Sequence, residues 1–209
     1  CIRDRVADAL LRSRDFWLFF SPEGIFPLDT LQAYLEAGCW SLNFLNESLW
    51  WQGVILAVEA AAGLSLIAGY FSSVSCFVAW IAWTSILRRT EPAANAGDYW
   101  MACLLYWGMF LPLGDMFSID SLLRKKTKYA TMSLASAAFL AQVLAVYLYA
   151  GISKLQGDWL NGSAVGYILS VHDHGTWVGE FLNTSKTTTS LLTPSTLLLE
   201  IGGPFLFLF

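Results

Sequence analysis

The run from Ala130 to Ile152 contains no charged side chain, and it constrains the fold more than any other feature of the sequence. A bilayer core about 30 Å thick takes about 20 apolar residues at 1.5 Å per residue. Three further stretches meet that length. Leu49 to Tyr70 is interrupted only by Gln52 and Glu59, Phe71 to Leu87 is uncharged and stops at Arg88-Arg89, and Tyr99 to Phe117 carries Asp115 near its end. A fifth begins near Ser195 and is cut off at Phe209. Backbone exposed to lipid must satisfy its own hydrogen bonds, so these stretches are expected to be helices. The expected class is all-α: a polytopic transmembrane bundle of four complete helices and a truncated fifth.

Composition points the same way. Only 13% of the 209 residues are charged and 56% are apolar, with ten Trp. A soluble domain carries about a quarter charged residues. The same figures exclude a disordered chain and a disulfide scaffold. A net charge of −4 without a basic stripe gives no purchase on nucleic acid. The expected partner is the lipid bilayer. Cys76 and Cys103 fall inside expected helices as small apolar fillers, Cys39 lies outside, and no CxxC pair suggests zinc or redox chemistry.

Residues 1–48 differ in character. Arg3, Arg5, Arg12 and Arg14 alternate with Asp4, Asp8 and Asp15, and Phe16 to Phe20 then leads into the turn Ser21-Pro22-Glu23-Gly24. The pattern fits a short helix lying at the membrane interface, with Phe16 and Trp17 at headgroup level, then a second short helix from about Leu28 to Ala37. An ordinary extramembrane helix pair fits equally well. No period of 20–50 residues repeats, so residues 1–209 are taken as a single domain.

If the helices alternate, residues 1–48, 88–98 and 153–194 share one side. The loop 118–129 is on the other, with Arg124, Lys125, Lys126 and Lys128 packed together. Basic residues in short loops beside spans favour the cytoplasm, although the raw total of Lys and Arg, eight against four, favours the other side. Three Asn-x-Ser/Thr sequons, at Asn46, Asn161 and Asn183, lie on the proposed outer side. The expected topology puts loop 118–129 in the cytoplasm and Lys154 on the opposite face.

Ionisable groups inside a membrane cost about 2.5–3.5 kcal/mol each on insertion scales and normally face a cavity or a partner. Four stand out. Glu59 sits near mid-bilayer, Glu200 lies inside the last helix, Asp98 opens the third, and Lys154 closes the fourth. Lys154 shares a helix face with Tyr147, Ala150 and Gly151, and small residues below a lysine let another helix approach and desolvate the amine. The plain alternative is a helix-end lysine snorkelling to the headgroups. Glu59 and Glu200 suit three roles: interhelical hydrogen bonds, partners of Lys154, or ligands in a polar cavity. His172 and His174 flank Asp173, but nothing supplies a third and fourth metal ligand, so no metal is expected. There is no nucleophile elbow, P-loop or GxGxxG motif.

Tyr149-Ala150-Gly151-Ile152-Ser153-Lys154-Leu155, followed by Asp158-Trp159, resembles the A-G-x-x-K-L-x-x-D-W stretch of vitamin K-dependent gamma-carboxylases. Asn95 to Asp98, Leu111-Pro112-Leu113-Gly114, Phe117-Ser118-Ile119-Asp120 and Phe20-Ser21-Pro22-Glu23-Gly24 are similar to segments of the wider HTTM (horizontally transferred transmembrane) superfamily. The resemblance runs over most of the chain. It implies a helix before residue 1 and a further portion beyond Phe209. In the carboxylases the matching lysine is the base toward vitamin K hydroquinone, in a reaction that ends with CO₂ added to a protein glutamate. Carried over, the resemblance implies Lys154 as base, with Asp158 and Trp159 in the same motif and Asn95 in a second matching segment, while Asp98, Tyr147, Glu59 and Glu200 are expected as supporting residues from their placement in the helices. It also implies vitamin K hydroquinone or another quinone as cofactor, and a protein glutamate as partner substrate. One position departs: Gly97 stands where the carboxylases carry a histidine.

Three functions compete. The first is a membrane enzyme of carboxylase-like, lyase type; the second a non-catalytic scaffold or a maturation or export partner; the third a transporter, which ordinarily shows more broken helices and more buried acids.

Overall fold

The computed structural model describes residues 14–35, 39–115, 118–124, 133–171 and 176–206. Among these residues the secondary structure is helical, with no strand. Contacts divide the chain into two compact units, Cys1–Ser136 and Ala137–Phe209.

The first unit opens with α1 (Phe16–Phe20) and α2 (Leu28–Tyr34), where the aromatic run and the following short helix were expected. A 3-10 turn at Leu42–Phe44 leads to α3 (Leu49–Ala68), whose first turn is capped by Ser48 accepting from the Trp51 N–H. Gly69, at φ +65°, ends α3, and the Tyr70 N–H returns to the Ser65 carbonyl, the closure that a left-handed residue permits. Any Cβ at Gly69 would run into Ser118.

The chain then reverses into α4 (Ser72–Arg89). The turn forces Phe71 to φ +45°, unusual for a side chain of that size. Asp120, from α6 (Ile119–Arg124), holds it there: its carboxylate accepts from the Phe71 N–H at 2.9 Å, the Ser72 N–H at 2.9 Å and the Ser72 hydroxyl at 3.1 Å. Three donors at a helix start suit one carboxylate, which also meets the positive end of the helix dipole.

The core of this unit lies along the α3–α4 hairpin. Phe20, Ile55, Leu56, Ala82 and Ile86 form one cluster. Ala62, Leu66, Cys76, Ala79, Trp83 and Leu105 form the second, which brings in α5 (Ala96–Gly108). Ala79 and Ala82, nearly without exposed surface, let the helices approach closely.

Helix α5 is a correction to the sequence-based expectation of a span over 99–117. Its 13 residues cover only about 20 Å at 1.5 Å per residue. Leu111-Pro112-Leu113-Gly114 explains the stop, because proline lacks an N–H and drives the preceding residue out of the helical region.

In the second unit α7 (Leu134–Ser153) is followed by the short helices α8 (Gly157–Leu160), α9 (Ala164–Ser170) and α10 (Trp177–Asn183). Last comes α11 (Lys186–Leu206). The last helix begins well before Ser195, a second correction. Its early turns are rich in Thr and Ser, whose hydroxyls donate back to carbonyls of the preceding turn, as Ser195 does to Leu191 and Thr196 to Leu192. Thr193, fully buried, lies within hydrogen-bond distance of the Thr189 and Gly162 carbonyls, and its oxygen accepts from the Val165 N–H. That one hydroxyl ties α9 to α11 just before Pro194.

Among the described residues two helices, α3 and α7, are long and apolar enough to cross a membrane. The sequence pattern put four complete spans in the chain. Helix α4 is interrupted by four serines and ends in two arginines, and α5 is short.

Candidate functional site

The end of α7 supplies Lys154. The last turn tightens there, with the Lys154 N–H bonded to the Gly151 carbonyl at 3.2 Å and the Leu155 N–H to the Ile152 carbonyl at 3.0 Å. Gly157, at φ +49°, starts α8 and turns the chain so that Trp159 comes back beside the lysine. The Lys154 Nζ stands 5.0 Å from the centre of the Trp159 ring. A cation over an indole face is worth about 0.5–2 kcal/mol, more as water is excluded.

Helix α11 supplies the counter-charge. The Lys154 Nζ donates to Glu200 Oε1 in a short ion pair, with both side chains largely removed from solvent. The other carboxylate oxygen, Oε2, is buried and has no hydrogen-bond partner among the described residues. Gly151 makes the pairing geometry attainable. A Cβ there would lie 2.6 Å from Ile201 Cγ1 and 3.1 Å from Glu200 Cβ, so only glycine admits α11 this close to α7.

The remaining motif residues support this arrangement. The Asp158 carboxylate accepts from the Ser163 hydroxyl at 3.2 Å, and its carbonyl accepts from the Ser163 N–H at 3.0 Å, which closes the loop after α8. Tyr147, two turns before Lys154, is about half exposed on α7. The spacing A-G-x-x-K-L-x-x-D-W therefore encodes a close approach, a cation, a loop closure and an aromatic face around a single amine.

The other candidates lie in the first unit. Asn95 caps α5: its side chain accepts from the Gly97 N–H at 2.8 Å, while Asp98 accepts from the Asn95 N–H at 2.9 Å. These are the reciprocal bonds of a capping box. Gly97 sits inside that box, 2.9 Å from the Asn95 Oδ1 at the place a Cβ would take. Glu59 is completely buried within α3. His172 and His174 lie outside the described residues, as do Lys125, Lys126 and Lys128. Among the described residues no group of three His, Cys, Asp or Glu side chains is placed to hold a metal.

Sequence reasoning passed over two buried polar groups of the first unit. Arg89, read only as the end of a span, is 2% exposed and donates to the Phe26 carbonyl at 2.6 Å. Gln52, read as an interruption of α3, donates to the carbonyls of Asn43 and Asn46 at 3.0 and 2.8 Å. A polar residue one turn into an otherwise apolar helix was the available signal for the second.

A charge-poor composition and, among the described residues, two apolar helices of membrane length are the features of a helical membrane protein. A family model for the HTTM domain matches residues 39–209, and the chain belongs to that family. No solved structure matches the chain.

Proposed function

We propose that this is a multi-pass membrane enzyme in which Lys154 acts as a base toward an acidic hydroxyl of a lipid-soluble hydroquinone, of the vitamin K type or another quinone. The observation that carries the proposal is the Lys154–Glu200–Trp159 cluster: an amine, a buried carboxylate and an aromatic face held together at the end of an apolar helix. A general base must reach the proton it removes, and the Lys154 amine stands at the end of an apolar helix beside a carboxylate and an aromatic face. The indole offers a flat ring against which an aromatic ligand can lie. A hydroquinone would be held by the Lys154 amine at its hydroxyl and by Trp159 at its ring, with the apolar helix beside its tail.

In the proposed topology loop 118–129 is cytoplasmic and Lys154 is on the opposite face. Quinone-linked carboxylation of a protein glutamate is the reaction this base serves in the carboxylases that the lysine segment resembles. Gly97 in place of histidine leaves Lys154 and its partners as this chain's own proton-transfer groups.

Hydroquinone-dependent oxygen uptake by the purified protein tests the reading. Lys154→Ala and Lys154→Arg are both expected to lower the rate by about 100-fold, the usual scale for a lost general base. Arginine keeps the charge and cannot give up its proton. Full uptake in the arginine variant would show that Lys154 only anchors the helix end.

A further inference from the structure

We propose that Glu200 is the final acceptor of the proton that Lys154 removes, so that the two side chains work as one proton-transfer unit whose gained positive charge is balanced by the ligand oxyanion. This rests on the proposed role of Lys154 and names the atom on which the proton comes to rest.

The hydrogen-bond inventory carries the argument. An ionised carboxylate presents about four lone-pair sites and is ordinarily surrounded by donors. Asp120 shows the ordinary case in the same chain, with two backbone N–H groups and a hydroxyl on its oxygens. Glu200 receives a donor only on Oε1, from Lys154, while Oε2 is buried without a hydrogen-bond partner among the described residues. The protein thus leaves half of this carboxylate unstabilised as an anion. A neutral carboxyl has less need of donors, and a buried charge without partners is costly. Asp158, the nearest acid in sequence, is turned to Ser163 and does not compete for the lysine proton through that bond.

The step balances within the pair. In the resting state Lys154 is an ammonium and Glu200 a carboxylate. The proton crosses from Nζ to Oε1 along their hydrogen bond, which frees the amine lone pair. The amine then takes the proton of a ligand hydroxyl: that O–H bond breaks, an N–H bond forms, and the ligand oxyanion faces the restored ammonium. In the net change one proton moves from the ligand to Glu200, and no oxidant or reductant is needed. Trp159 lies against the amine and leaves the carboxylate as its acceptor.

Binding of lipophilic 4-nitrophenol to the purified protein tests this without requiring turnover, since its phenolate is coloured and a newly protonated carboxyl has its own infrared band. Wild type is expected to show the bound phenolate together with that band. Glu200→Gln, which keeps an acceptor for the lysine, is expected to lose the band and about 100-fold of the phenolate, on the scale of a lost proton acceptor. Phenolate without a carboxyl band in wild type, undiminished phenolate in Glu200→Gln, or no phenolate in wild type would each overturn the inference. The wild-type spectrum decides the matter even if the variant fails to fold. Oxygen uptake on hydroquinone is read separately. Its absence beside normal phenolate formation would overturn the quinone reading and leave the proton pair standing.

Discussion

Helices α3 and α7 have the same length, 20 residues, and nearly the same mean hydropathy, yet 39% of the most apolar stretch of α3 is buried inside the protein against 6% for α7. The first is half of a packed hairpin. Ile55, Leu56, Ala62 and Leu66 turn to α4, and Gln52 and Glu59 lie fully inside with them. The second buries only Gly151. Apolarity fits both helices for lipid, and side-chain size along one face decides which of them also packs. Helix α4 meets α3 with Cys76, Ala79 and Ala82, whereas α7 achieves its close approach at a single glycine. One helix builds structure, and the other ends in the Lys154–Glu200 pair on a plain apolar shaft.

The strongest expected effect lies on the packed side of the comparison. Trp83, on α4, is completely buried, and its indole N–H donates to the Asp98 carbonyl at 2.9 Å, so it joins α4 to the start of α5. Trp83→Ala empties the centre of that cluster and is expected to cost about 3–5 kcal/mol, read by unfolding of the detergent-solubilised protein. A loss below about 1 kcal/mol would show that the hairpin does not depend on this core.

Gly151→Ala is the next effect and falls on the sparsely packed helix. The added methyl meets Ile201 and Glu200, which must move away. A cost of about 1–3 kcal/mol is expected, the usual range for overpacking. Its sharper signature is functional: Lys154 and Glu200 separate, and 4-nitrophenolate formation falls while helix content stays the same. Retention of both stability and phenolate would mean that α11 has room to retreat without losing the pair.

The two long apolar helices were legible in the sequence because each is a run of about 20 residues bounded by clear stops. Leu49–Ala68 falls within the expected stretch of 49–70, and Leu134–Ser153 lies within that of 130–152 except for one residue at its end. The end of α5 was not, since Leu111 and Leu113 continue an apolar pattern that Pro112 breaks. The start of α11 was hidden by its opening threonines and serine, which read as a polar loop until their hydroxyls are seen to bond within the helix. Spacing put Lys154 on one helix face with Gly151, which fits a snorkelling lysine as well, and the resemblance to the carboxylase stretch is what singled it out as a base. The choice of Glu200 over Glu59 as partner was not legible, because it depends on how α11 returns to α7, which no local pattern states.

The smallest effect is expected in the middle of α7. Leu140 is 39% exposed although it sits at the centre of an apolar helix. Against acyl chains its exposed face has the same solvent before and after folding, and little transfer energy is at stake. Leu140→Ala is therefore expected to change stability by no more than about 0.5 kcal/mol, the ordinary range for substitutions outside a core. The same truncation at Ile55 of α3, 4% exposed, removes buried contacts and belongs to a different scale. Unfolding of the Leu140→Ala protein in detergent measures the difference. A cost above about 2 kcal/mol, as for a core leucine, would mean that protein covers this face of α7, and the contrast between the two helices would fail.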